Sequence, residues 1–147
     1  HQSENFAMDT PFVYYSSRNP EGACEIGKRA LLSQGYQIDD TKQLNLRAEK
    51  FFQPSPEHAT KLNINLVCLP SSLGAVVYAN ALETYYELKS QGTSAGVSVS
   101  GMGSLSLPWA ASRDTLVKIG EETITQAEFY QRLFTLIRSM EDLTLAD

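Results

Sequence analysis

The sequence predicts a two-layer α+β domain, an antiparallel sheet of four to five strands with an N-terminal and a C-terminal helix packed on one face. Three observations lead there. Apolar residues recur every three or four positions near both ends, from Ala23 to Leu31 and from Phe129 to Met140. Between those ends the apolar period changes to two, and turn residues such as Gly35, Pro54 and Pro56 mark the junctions. Periods of 3.6 and 2 identify half-buried helices and strands, and helices kept apart from the strands indicate α+β rather than a parallel sheet. The 147 residues divide into a polar lead-in at 1–18, one α+β domain at 19–141 and a tail at 142–147.

The first helix opens at Asn19-Pro20. Asn accepts the free amides of a first turn, and Pro already holds the helical φ where no amide bond is needed. Ala23, Ile26, Gly27, Ala30 and Leu31 share its inner face, and Gly35 stops it. Gly27 weakens the helix, so its place on that face predicts close approach to a sheet. Strands follow at Tyr36-Gln37-Ile38 and through Leu44, Leu46 and Ala48, which alternate with polar neighbours. The segment Gln53-Pro54-Ser55-Pro56 is expected to be a loop, since each Pro lacks a donor. A strand at 61–69 puts Leu62, Ile64, Leu66 and Cys68 inside.

Residues 75–89 suit either helix or strand. Strand is preferred because Val76, Tyr78, Leu82, Tyr86 and Leu88 keep a period of two. The Ser/Gly-rich run at 92–106 alternates Ala95, Val97, Val99 and Leu105 with serines and reads as a long half-buried strand with a glycine bulge. The last helix is expected to open with a capping box, Thr125 capping and Glu128 reaching back. Its broad apolar face holds Phe129, Tyr130, Leu133, Phe134, Leu136, Ile137 and Met140.

Acidic residues outnumber basic ones 17 to 12, a formal charge of −5. With no basic block, the electrostatic attraction behind nucleic-acid binding is missing, so no nucleic-acid partner is expected. No apolar run reaches the roughly 20 residues of a membrane span.

Candidate chemistry is sparse. His58 beside Glu57 is a conceivable general base, but a solvated loop histidine is the plainer reading. Two cysteines and one internal histidine make no recognisable zinc set, so neither metal nor cofactor is expected. Gly96-Val97-Ser98-Val99-Ser100 lacks the final glycine of a nucleophile elbow, and the run from Gly101 to Ser106 fails the dinucleotide fingerprint. Asn80 lies in the apolar row of Val76, Tyr78 and Leu82; if that row faces the core, its amide needs a structural partner or lines a ligand cavity. Cys24 beside the inner stripe of the first helix and Cys68 on the inner face of a strand share one helix–sheet interface. A bridge and two buried free thiols both fit that placement.

Seven ordered segments, CEIGKRALLSQGYQI (24–38), KFFQP (50–54), NLVC (65–68), YYELK (85–89), GSLSLP (103–108), LVKIGEETI (116–124) and EFYQRLF (128–134), together resemble a bacterial lipoprotein family, domain of unknown function 2242. The resemblance covers roughly residues 12–140. It implies a signal peptide and a lipid-modified cysteine upstream, hence a lipid-anchored position on the periplasmic side of the envelope, with the membrane touched only through that anchor. Members carry a cysteine pair at the positions of Cys24 and Cys68, so the resemblance also implies a disulfide, which an oxidising compartment maintains. It brings no activity and no catalytic residues. The expectation is therefore a non-enzymatic envelope module that binds an envelope protein or cell-wall component. A carrier or sensor holding a small apolar ligand near Asn80, Phe129, Tyr130 and Phe134 is the alternative, and a hydrolase using His58 a third.

Overall fold

Asn19 caps the first helix through the bond its residue type provides: its side-chain oxygen accepts from the Gly22 amide at 2.7 Å, with Pro20 in the first turn. The other end is closed as Gly35 foretells. Gly35 takes φ 86°, its amide donates to Leu32 O, and the Tyr36 amide reaches back to Leu31 O, both at 3.1 Å. That pair of bonds is the Schellman closure, which a left-handed glycine makes cheap.

The computed structural model describes residues 4, 6–7, 10–90 and 114–144. In chain order these form β1 (Val13–Ser16), α1 (Pro20–Ser33), β2 (Gln37–Lys42), β3 (Asn45–Ser55), β4 (His58–Ser71), β5 (Gly74–Ser90), β6 (Asp114–Thr123) and α2 (Ala127–Leu143). The strands make one six-stranded antiparallel sheet of order β1-β5-β4-β3-β2, with β6 also paired to β5. The α+β architecture with a helix towards each end of the chain is thus as the periodicities predict. By contact, the chain falls into two compact units, one of His1–Glu49, Ile64–Ala81 and Ile124–Asp147, the other of Lys50–Asn63 and Leu82–Thr123.

In the first unit, α1 buries Ala23, Ile26, Gly27, Ala30 and Leu31, the stripe read from the sequence. A Cβ built on Gly27 would stand 2.7 Å from Leu66 Cδ1, so the glycine is what lets helix and sheet meet. On the sheet side of this unit Leu46, Ala48, Ile64, Leu66, Cys68, Ala75, Val77 and Ala79 are all buried. Helix α2 adds Tyr130, Leu133 and Ile137, a narrower seam than the predicted face. In the second unit, β5 and β6 pair from Leu82↔Thr123 to Ser90↔Asp114, with a bulge after Tyr85.

Several expectations need correction. The predicted lead-in contains β1, which pairs Val13↔Tyr78 through Ser16↔Ala75. Leu44 lies in the two-residue turn between Lys42 and Asn45, not in a strand, and takes φ 62°. Its carbonyl accepts from the Cys68 amide at 3.0 Å. Pro54 is inside β3 rather than in a loop. The physical reason is that β2 pairs with β3 only as far as Glu49, leaving the rest of β3 free of β2 on that side, where a missing donor is tolerated. The capping box does not form, since Gln126 is the cap of α2 and makes no side-chain bond there. Strand β6 went unread, and the strand expected at 92–106 lies outside the described residues.

Candidate functional site

β5 is a strand, as preferred, but its inward row is the other one. Ala75, Val77, Ala79 and Ala81 face the helices, while Tyr78 and Asn80 are exposed. Small side chains allow the aromatic residues of α2 to come close. Asn80 therefore has no buried amide to satisfy and does not stand with Phe129, Tyr130 and Phe134.

Those three aromatics are engaged in packing. Tyr130 is 1% exposed; its hydroxyl donates to Ile124 O at 2.6 Å and accepts from the Ala81 amide at 3.1 Å. β1 pairs with β5 only as far as Tyr78, with Phe12 O taking the Ala79 amide, so Tyr130 satisfies a donor that the sheet edge leaves over. Phe12 and Phe129 meet the Tyr130 ring edge-on at 4.6 and 5.1 Å, and Phe134 stacks on Tyr14 at 5.5 Å.

The far end of α2 is tied to β1 by groups that no local pattern announces. Glu141 accepts from Tyr14 Oη at 2.9 Å and from Ser16 Oγ, while Arg18 Nη2 donates to the Glu141 and Thr144 carbonyls at 3.1 and 3.2 Å. Arg18 thus supplies the positive charge and donors that a helix C-terminus favours. Burial, then the hydrogen bond and charge of Glu141, push the Tyr14 hydroxyl up to about 12. Next to this clamp Gly74 has φ 142°, and a Cβ there would lie 2.6 Å from Arg18 O, so only glycine fits the passage.

Cys24 and Cys68 form a disulfide, Cα atoms 6.0 Å apart, joining α1 to β4 across 44 residues. Cys68 is fully buried. His58 opens β4 and is exposed; its Nδ1 lies 3.0 Å from Ser55 Oγ across the Pro56-Glu57 turn. A serine beside an imidazole is half of a nucleophilic dyad, but among the described residues no carboxylate orients the ring as a third member does. The contact links the two ends of a hairpin. Among the described residues no three His, Cys, Asp or Glu side chains gather as a metal set.

Both helices lie against the face carrying Tyr14, Ser16, Val77 and Leu66. On the opposite face of the first unit, Tyr15, Leu69 and Tyr78 are 63%, 43% and 45% exposed. The same face hollows where β2, β3 and β4 meet, a space of about 290 Å³ bounded by Asp39, Thr41, Lys42, Asn45, Arg47, Asn65 and Val67. Alternation already puts Arg47 and Asn65 on wet rows. What the sequence withholds is the pairing that makes them neighbours, with Arg47 Nε donating to Asn65 Oδ1 at 3.2 Å. A second hollow of about 170 Å³ lies between α1 and the β2–β3 turn, beside Cys24. On its helix side Lys28 pairs with Asp40 at 2.9 Å and Glu25 is held by Arg29 at 3.2 Å.

A family model described as uncharacterized protein conserved in bacteria (DUF2242) matches residues 24–140. The chain belongs to this family. The match spans both cysteines, the hollow at Arg47 and all but the last turn of α2. Searches of curated proteins and of solved structures found no match. Among the described residues no helix is long and apolar enough to cross a membrane.

Proposed function

We propose that this member of the family is a non-enzymatic binding module of the bacterial cell envelope, carried on a lipid anchor upstream of the chain and facing the periplasm. It engages an envelope protein or cell-wall component across the face of its sheet opposite the helices. The observation that carries the reading is that exposed face, where Tyr15, Leu69 and Tyr78 are open to solvent. Tyrosines supply large contact area with few rotors and are enriched at interface centres. Compartment is supported by the Cys24–Cys68 disulfide, a bond that reducing cytosol removes.

Site-specific photocrosslinking in living cells tests both halves. The full gene product is produced in its native bacterium with a photoreactive residue at Tyr78, at Tyr15 or, as a control on α2, at exposed Gln131. Discrete products from the two sheet positions alone, in the membrane fraction, fit the proposal. Equal products from Gln131, or free Cys24 and Cys68 on alkylation in intact cells, overturn it.

A further inference from the structure

We infer that the hollow bordered by Arg47 is a binding site for a single carboxylate on a cell-wall peptide stem or acid sugar, an inference that takes its ligand source from the envelope reading above. The β2–β3 register sets Asp39 directly opposite Arg47. Opposite charges so placed ordinarily pair. Here they do not. Asp39 Oδ1 accepts from the Thr41 amide at 3.1 Å and the Thr41 hydroxyl at 2.9 Å, and these bonds first, then the nearby charges of Arg47 and Lys42, hold its carboxyl below the usual range.

Arg47 is thereby left with one bond. Its Nε donates to Asn65 Oδ1, and among the described residues nothing bonds its two terminal nitrogens. A guanidinium fixed through Nε presents its remaining donors as a planar fork, the shape that a carboxylate meets with two parallel hydrogen bonds. In the hollow under α1, by comparison, Lys28 is held by Asp40 at 2.9 Å, whereas among the described residues the cations Lys42 and Arg47 of this one make no ion pair within 4 Å.

Charge and size narrow the ligand. Lys42 and Arg47 against Asp39 leave one net positive charge on the lining. One carboxylate balances that, while a doubly charged phosphate brings its second charge against Asp39. About 290 Å³ lies at the small end of ligand sites, room for a sugar ring or a dipeptide end. The Asn45 and Asn65 amides offer partners to neighbouring hydroxyl or amide groups, and Val67 gives a small apolar wall.

The test follows backbone amide shifts of the ¹⁵N-labelled chain by NMR, titrated separately with D-alanyl-D-alanine, N-acetylmuramic acid, neutral N-acetylglucosamine, acetate and inorganic phosphate. Expected are saturable shifts at Asp39, Arg47 and Asn65 with one of the first two probes, weakened at least tenfold by Arg47→Gln and by Arg47→Lys, which keeps the charge but loses the fork. Thermal unfolding of both variants should match the parent, because Arg47 is exposed. Preference for the dipeptide assigns the carboxylate to the peptide stem, and preference for the acid sugar assigns it to the glycan. Shifts with neither probe, equal response to acetate or phosphate, or titrations indifferent to both substitutions overturn the inference. Crosslinks at Tyr78 that persist in Arg47→Gln cells would then show that the envelope reading stands without it.

Discussion

The two units of the molecule are built from the same long strands yet depend on different forces. In the first, α1 and α2 cover the sheet, and Ile26, Leu31, Leu46, Ile64, Leu66, Val77, Tyr130 and Ile137 are at most 3% exposed. In the second, the buried hydrophobics among the described residues are Ala59 and Leu62, joined by the polar Thr84. Surface interactions there take the place of burial. Lys61 Nζ sits 5.9 Å from the Phe51 ring centroid and 6.0 Å from that of Tyr86, Tyr85 donates to Glu83 and approaches Glu122, and Lys118 pairs with Glu121. Burial of a large side chain is worth roughly 1.5–3 kcal/mol, whereas exposed ion pairs add about 0–1. Global stability should therefore reside in the first unit, and the second should open at lower free energy.

The largest effect should come from removing the disulfide. Closing a loop of 44 residues is worth about 4 kcal/mol in the chain-entropy account. Cys24→Ala with Cys68→Ala should lower the urea-extrapolated stability by close to that amount. Hydrogen exchange sharpens the comparison. The Ala81 amide, held by Tyr130, should lose protection, while that of Leu88, bonded to Glu57 O at 2.7 Å, should change little. Equal loss at both would mean that the units unfold as one.

Next in size is Tyr130→Phe, which keeps the ring but strands the Ala81 amide and the Ile124 carbonyl. An unmet buried group costs about 1–3 kcal/mol, so denaturant melts should show a loss in that range. A smaller, pH-dependent effect belongs to Tyr14. Its folded state favours the protonated phenol, so this contribution to stability is whole below pH 10 and is lost as pH rises towards about 12. Tyr85 is also pushed up to about 12, by its hydrogen bond to Glu83 first, but it lies outside the helix-covered unit. Tyr14→Phe should flatten the alkaline fall in melting temperature more than Tyr85→Phe does. Smallest of all, Lys61→Ala should cost under about 1 kcal/mol, the scale of exposed cation–π contacts.

What was legible in the sequence follows the range of the forces involved. Asn19, Pro20, Gly27 and Gly35 act on neighbours within a turn or on one adjacent layer, and each does in the structure what its type implies. The inner row of β4, Leu62 to Cys68, was legible because every second residue is apolar. β5 misled because it is apolar on both sides: the alanines that face α2 are less conspicuous than Tyr78, which faces solvent. The Glu141 clamp joins residues 123 to 127 positions apart, and the Arg47 hollow depends on strand pairing, so neither leaves a mark in local pattern. The cysteine pair was visible as a pair, but residue spacing alone could not decide between thiols and a bridge.

The disulfide also makes part of the chain topologically closed. The Pro56-Glu57 turn falls inside the segment bounded by Cys24 and Cys68. A protease that cut the backbone at this turn would release no fragment. The two halves would migrate as one species until a reductant parted them, so a cleavage sequence inserted there turns reducing and non-reducing gels into a direct readout of the bond inside the cell.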